Sequence, residues 1–366
     1  MGGVRTASNS LLWPGAMPSG PILTTPIGAG NARLSVVLAT FNGERFLGRQ
    51  LESLRHQSRL PDELVVVDDA SSDGTVEIVE EFARYAPFPV DLTVNRSHQG
   101  TCASFERGFR RSLGEIVVVC DQDDVWLPEK LAATADHMEA NPDSLLCFSD
   151  AVLVDADGAR ISRSRWRIAG FGVRQRERLS YDPLGEMLKR QIVSGCTAAV
   201  RRELFDALLP FPAGLHPALP TMMYDRWISL VAAATGRITT IPERLVEYRI
   251  HPGQQIGIPA LQLRRFAPQS ALRAGQFMAP SSEKLGRFEY LAAHLAAIEK
   301  RLDCAGLATG TSSHVLALAG AHLELRRRVN GSGHAGRTAV VRDLFGEDGY
   351  RRFSLGVAAA LSDVFR

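Results

Sequence analysis

The chain has 366 residues, 45% of them hydrophobic and 22% charged, with a formal net charge of +2. That composition suits a folded globular protein of about two domains and excludes disordered and collagen-like classes. The near-neutral charge gives no case for a nucleic-acid partner.

Residues 1–32 are rich in Gly, Pro, Ser and Thr ("WPGAMPSGPILTTPIGAG") and read as a flexible leader. From Leu34 the texture changes. "LSVVLA", "ELVVVD" and "EIVVVC" are apolar throughout, as expected of parallel strands covered on both faces. Between them, "ERFLGRQLESLRHQ" places Phe46, Leu47, Leu51 and Leu54 on one helical face. "DGTVEIVEEFARY" places Val76, Val79 and Phe82 on another, with Asp73 capping its start. Strand-helix-strand alternation implies an α/β, doubly wound sheet. "LLCFSDAVLVDADGARI" then reads as two strands around an Asp157-Gly158 turn. "IVSGCTAAVRRELF" reads as a strand followed by a helix. "YDRWISLVAAATG" reads as a helix ending at Gly236, and "RITTI" and "RLVEYRIH" as two short strands. Further on, "SSEKLGRFEYLAAHLAAIEKRLD" carries Leu285, Phe288, Leu291, Ala292, Leu295, Ile298 and Leu302 on one stripe after a serine cap. In the terminal "GYRRFSLGVAAALSDVFR", Phe353, Val357, Leu361, Val364 and Phe365 share a face flanked by Arg351, Arg352 and Arg366. Such a helix either lies in a membrane interface or packs on the body of the protein.

No apolar run reaches the ~18–20 residues that cross a bilayer, and the N-terminus lacks the apolar core of a secretory signal. The five cysteines (Cys102, Cys120, Cys147, Cys196 and Cys304) are odd in number and form no CxxC pair. They fit buried thiols in a reducing compartment, hence a cytoplasmic location, peripheral at the membrane's inner face if the last helix binds lipid.

Ligands of open α/β sheets bind at the carboxyl ends of the strands. Here those ends read Thr40-Phe41-Asn42-Gly43, Asp68-Asp69-Ala70-Ser71-Ser72-Asp73-Gly74 and Asp121-Gln122-Asp123-Asp124. Acids gathered on one edge need a cation or donor groups. A divalent metal shared with phosphate oxygens answers that need. No GxxxxGK[ST] is present and no GxGxxG follows the first strand, so a Gly-rich phosphate loop is excluded.

"LSVVLATFNGERFLGRQLESLRHQS", "ELVVVDDASSDGT" and "VVVCDQDDVWLPEKL", followed in order by "SGCTAAVRRELFDALLPFP", "YDRWISLVAAATG" and "EYRIHPGQQIG", resemble glycosyltransferase family 2, in its rhamnosyltransferase-like branch. The resemblance implies a GT-A fold: a Rossmann-like, mostly parallel sheet with a smaller mixed subsheet on the acceptor side. The catalytic domain would span residues 33–258 and a helical C-terminal extension residues 259–366. It implies inverting transfer of a sugar, rhamnose first, from a dTDP- or UDP-sugar donor to a saccharide or lipid-linked acceptor in surface polysaccharide synthesis, with Mn2+ or Mg2+. A UDP-hexose transferase and a non-catalytic domain that binds nucleotide sugar are the alternatives.

Residue by residue, the resemblance implies that Thr40, Asn42 and Glu44 line the nucleotide pocket and that Asp69 bonds the nucleobase, with Asp68 its structural neighbour. Asp121 and Asp123 form a DxD pattern with Gln122 between them. Asp123 would ligate the metal, and Asp121 would face the ribose or a metal-bound water; Asp124 is left open. Asp225 stands at the family's base position, with a helix cap as its other reading. His251 and Arg249 are offered to phosphate or metal, with packing and pairing to an acid such as Glu247 as alternatives. Gly195, Cys196 and Thr197 are expected to wall the acceptor side, where Trp126 either flanks the sugar or packs. Departures from the family pattern include Tyr224, where members often carry His.

Overall fold

A computed structural model of the chain describes residues 32–212, 222–254 and 281–331. The leader expected over residues 1–32 lies outside these residues except for Ala32. The boundary expected at 258/259 and the helix expected over the last eighteen residues also lie outside them.

The first seven elements alternate as the sequence pattern implies: β1 (Leu34–Thr40), α1 (Glu44–Arg55), β2 (Glu63–Asp68), α2 (Thr75–Ala83), β3 (Val90–Val94), α3 (Thr101–Arg111) and β4 (Ile116–Asp121). β1 lies between β2 and β4, parallel to both, and β3 extends the sheet beyond β2. The register pairs Thr40 with Asp68 and Ala39 with Asp121, so the polar strand ends stand level on one edge. Alternate residues of β1 enter opposite cores. Val37 joins Phe105, Phe109, Val117 and Val119 on one face. Val36 and Leu38 join Leu47, Leu51, Val79 and Phe82 on the other. Burying each such side chain on both faces contributes about 1.5–3 kcal/mol and fixes the strands that carry the acids.

The second half is mixed. It comprises β5 (Val125–Trp126), α4 (Lys130–Ala140), β6 (Leu146–Val154), β7 (Arg160–Ser162), α5 (Arg165–Ile168), α6 (Val173–Leu179), α7 (Pro183–Lys189), β8 (Ala198–Arg201), α8 (Phe205–Leu208), α9 (Tyr224–Thr235) and β9 (Ile238–Arg249). The sheet order is β3-β2-β1-β4-β8-β6-β9-β5, with β7 paired to β6. β8 runs antiparallel to β4 and β6, and β5 antiparallel to β9. The α/β class, the mostly parallel half and the smaller mixed subsheet are thus as expected. Gly236 closes α9 at φ 77°, a conformation that glycine adopts without a Cβ penalty.

Two expectations are corrected. "RITTI" and "RLVEYRIH" form one strand, β9. Its ladder with β6 skips from Ser149↔Ile241 to Asp150↔Arg244, leaving Pro242 and Glu243 in a bulge that accommodates the missing proline N–H. After α10 (Ser281–Cys304), which carries Leu295, Ile298 and Leu302 inward as expected, comes α11 (Gly310–Gly331), a second helix that the sequence reading did not register. Leu316, Ala319 and Leu323 of α11 enter the same core as α9 and β4. All five cysteines are free thiols. Among the described residues no helix is long and apolar enough to cross a membrane.

Candidate active site

The loops after β1 and β2 are knitted together at the sheet edge. Thr40 Oγ1 donates to Asp68 Oδ2 at 2.8 Å, and Asp68 also accepts from the N–H and hydroxyl of Ser71. Asp68 is fully buried and structural, as expected beside Asp69. Asn42 Oδ1 accepts from Ser72 N, Glu44 Oε2 accepts from Gly74 N, and Asp73, one residue before the Gly74 cap of α2, accepts from Thr75 N. Asn42 (φ 47°) and Ala70 (φ 63°) both hold left-handed backbone here, a strain of about 1–2 kcal/mol each that surrounding bonds must maintain. Gln122 reaches across to the same loop: its amide accepts from Phe41 N at 2.8 Å and donates to Phe41 O at 3.0 Å. Thr40 and Gln122 therefore brace the strand ends, Thr40 through the Asp68 carboxylate and Gln122 through the Phe41 backbone, while Asn42 and Glu44 remain at the surface.

Asp69 is 1% exposed and sits at the N-terminus of α3, where the helix dipole favours an anion. It accepts from Asn95 Nδ2, Gln99 N and Gly100 N at 2.7–2.8 Å. Its Oδ2 also lies 3.0 Å from His98 Nδ1. That contact sets the His98 ring against Phe41, with centroids 4.3 Å apart. Phe41 is 41% exposed, a large apolar ring left open at a polar edge. The sequence reading passed over both Phe41 and His98. The open ring between Thr40 and Asn42 carried a signal, since aromatic faces at site edges take flat ligands; nothing marked His98.

The three acids of "CDQDD" divide by direction. Asp121 turns inward: Oδ1 accepts from the Tyr224 hydroxyl at 2.8 Å and Oδ2 from Cys196 N at 3.2 Å. Asp124 is buried. Its Oδ1 accepts from Arg249 N at 2.9 Å, and its Oδ2 has only the Cys196 thiol beside it. Lys130 lies beneath, over the Trp126 ring at 4.6 Å. Asp123 turns outward, and its Oδ2 is 2.9 Å from His251 Nε2. The His251 ring rests on Phe46 at 4.6 Å.

Burial, then the Asp123 charge, pushes Asp121 up to about 7 and Asp124 well above the usual carboxylate range. Asp121, Asp124 and Cys196 hold ligand atoms within 4.8 Å of one another. Burial and both carboxylates push the Cys196 thiol up, and a soft sulfur is ill matched to a hard, oxygen-seeking cation. Both Asp121 oxygens are already engaged. The inner trio therefore does not suit a hard cation. The outer pair, a carboxylate oxygen and an imidazole nitrogen at contact distance on the sheet edge, does.

Tyr224 opens α9 and leans on Phe105, so its bond to Asp121 ties the start of α9 to the end of β4. Gly195 makes room for it: a Cβ there would stand 1.7 Å from the Tyr224 hydroxyl. Asp225 follows as the second residue of α9. It is no helix cap. That position is Met223, and the Asp225 side chain instead takes Gln191 Nε2 at 3.3 Å and the N–H of Arg226. Burial raises its pKa from the usual value.

Four expected side chains lie elsewhere than an open pocket. Arg249 is 1% exposed, and its guanidinium donates to the carbonyls of Asp123, Asp155 and Ala156, so it braces the acidic loop and is not free for phosphate or Glu247. Trp126 is 2% exposed and packs under α1, with its backbone N–H bonded to Ser53 Oγ, which fits packing and not a sugar platform. Cys196 and Thr197 are buried behind Asp121 and shape the wall from within, as does Gly195.

Residues 35–209 match the family model described as Glycosyl transferase family 2. An uncharacterized glycosyltransferase of Nostoc sp. is 27% identical over 60% of this chain and 65% of its own length. A Bacillus subtilis protein named for teichuronic acid biosynthesis is 24% identical over 46% of this chain and 62% of its own. The chain thus spans about two thirds or less of the length of these relatives. The structure of Staphylococcus aureus TarS residues 1–349 with UDP-GlcNAc superposes with a TM-score of 0.47 and 17% identity over 90% of each chain. The matched segment runs from β1 through the acidic edge to α8, and residues 35–209 thus form a glycosyltransferase family 2 domain.

Proposed function

We propose that the chain is an inverting glycosyltransferase that moves a sugar from a nucleoside-diphosphate donor to an acceptor hydroxyl. The observation that carries this reading is Asp225: an uncapped carboxylate in the first turn of α9, joined to the acidic strand end through the Tyr224–Asp121 bond. Asp225 takes the proton of the acceptor hydroxyl as that oxygen attacks the anomeric carbon opposite the leaving diphosphate. The single displacement inverts the centre. A raised pKa brings a carboxylate nearer to the working pH of a general base, worth typically ~10²–10⁴ in rate.

Asp123 and His251 would hold Mn2+ or Mg2+, whose Lewis acidity offsets charge on the departing diphosphate. The nucleobase lies against Phe41 and His98, the latter oriented by Asp69. Asn42 and Glu44 line its approach. The form of "CDQDDVWLPEKL" supports a dTDP-rhamnose donor, and the relative named for teichuronic acid biosynthesis supports a surface-polysaccharide acceptor.

Asp225→Asn is expected to lower transfer by about 10²–10⁴ while nucleoside-diphosphate binding persists; wild-type turnover in that variant removes the base assignment. A thermal-shift panel of dTDP- and UDP-sugars with and without Mn2+ tests the donor. The rhamnose reading requires the largest shift with dTDP-rhamnose and fails if a UDP-hexose gives it. A shift with no transfer or donor hydrolysis identifies a non-catalytic binding domain instead.

A further inference from the structure

Residues 160–191 contain nine Lys and Arg against three Asp and Glu, a net +6 in a chain whose total is +2. Every other residue together therefore sums to −4. This charge is not scattered by sequence accident over the surface. It occupies β7, α5, α6 and α7, which follow one another and lead directly to Gln191. Gln191 in turn holds the Asp225 carboxylate.

Most of these cations have little to neutralise them. Arg163, Arg167 and Arg174 are exposed and make no ion pair with any described residue. One buried carboxylate, Glu186, serves three cations at once: Arg178 at 3.3 Å, Lys189 at 2.9 Å and Arg190 at 2.6 Å. Arg165 is recessed beside the proposed base. Its Nη1 donates to Ile192 O, its Nε has no partner among the described residues, and its charge acts on Asp225.

We propose that segment 160–191 is a phosphate-binding surface on the acceptor side of Asp225, and that the acceptor carries phosphate groups. This rests on the transferase reading for the word acceptor, but not for the phosphate site itself. Arginine predominates over lysine by eight to one in the segment, and its planar fork matches phosphate oxygens two at a time. The charges belong to four short elements and are exposed at Arg163, Arg167 and Arg174 and half-buried at Arg165, whose charge acts on Asp225. A flat bilayer reaches the exposed arginines alone, whereas an acceptor bearing phosphates can also reach the half-buried Arg165 beside the base. Beyond about 8–10 Å such attraction is screened at physiological salt, so the surface acts on phosphates close to the reacting hydroxyl.

The test uses the full chain and an Arg163→Gln/Arg167→Gln/Arg174→Gln variant, with inorganic polyphosphate as probe. Wild type should bind polyphosphate with a marked salt dependence. The variant should bind about tenfold more weakly, with a salt slope shallower by about two, from three lost contacts at ~0.7 each as for single-stranded polyanions. Equal affinity and slope for the two proteins overturn the proposal. So does displacement of bound nucleoside diphosphate by polyphosphate, which would put the anion in the donor site. Sedimentation with phosphatidylglycerol-containing vesicles but not phosphatidylcholine ones, with no polyphosphate binding, also overturns it in favour of a membrane surface. The thermal shift caused by nucleoside diphosphate reports that the variant is folded. If that shift is absent from both proteins while polyphosphate binding holds, the donor reading has failed and the phosphate site stands.

Discussion

Tyr224 and Gly195 form a matched pair. The Tyr224 hydroxyl reaches Asp121 only because no Cβ stands at residue 195, where one would lie 1.7 Å from the oxygen and 2.6 Å from the ring carbon that bears it. Gly195→Ala must therefore displace the ring, and such overpacking costs typically about 1–3 kcal/mol. The shorter Tyr224→His ring, the residue the family pattern carries, relieves the clash. Urea denaturation should show Gly195→Ala destabilised by about that amount, and less so in a Tyr224→His background; additive losses would mean that the two residues do not share the space. The sequence made Tyr224 visible only as a departure from pattern, because a hydroxyl reaching a strand a hundred residues away leaves no local periodicity. The same limit applies to the three acids. Their spacing says that like charges are crowded, but their division into inward Asp121, outward Asp123 and buried Asp124 depends on partners from the Gly195–Thr197 turn, α9, β9 and the residues just after β9.

At the level of elements, β9 braces the acidic loop from the far side of the sheet. Its last residue, Arg249, is buried without a carboxylate partner for its guanidinium among the described residues; the group donates to three backbone carbonyls and lies 5.2 Å from the Phe46 ring centroid. Arg249→Met strips those carbonyls of their donors, each worth about 1–3 kcal/mol when left buried and unmade. The expected loss is about 2–5 kcal/mol in chemical denaturation, with a loosened Asp123–His251 pair and weaker Mn2+ binding; a change within about 0.5 kcal/mol would show that the guanidinium does not hold the loop. The parallel strands and their helices were legible from the chain because burial on both faces imposes long apolar runs and the helices between them repeat every 3.6 residues. β9 was divided in two because Pro242 ends a strand in a linear reading, and only the ladder with β6 shows a bulge absorbing it. α11 escaped notice although Leu316, Ala319 and Leu323 recur at helical spacing, since small and polar residues dilute the stripe between them.

Across the whole molecule, acids meet at one sheet edge in a chain of almost no net charge, which makes stability depend on pH and on cations together. In the metal-free fold Asp121 is pushed up to about 7 and Asp124 further, first by burial and then by the Asp123 charge. Asp225 shifts the same way through burial. In the unfolded chain these carboxyls titrate near 3.9. Between about pH 4 and 7 the folded state thus keeps protons that the unfolded state has released. Stability follows the difference in bound protons, unfolded minus folded, so these groups make it fall as pH rises through that window. Asp73 works in the opposite sense, its pKa being lowered by bonds from Thr75 and Glu44, but it lies at the surface where solvent screens most of the effect. A divalent cation bound beside Asp123, as proposed, would offset the repulsion once the acids are charged and would have little to offset while they hold protons. Melting curves of the chelator-treated chain should therefore show a lower Tm at pH 8 than at pH 5.5, and Mn2+ should raise Tm more at pH 8 than at pH 5.5. A metal-free Tm that climbs over that interval, or a Mn2+ shift that is the same at both, would mean that the acidic edge is already neutralised by the protein itself.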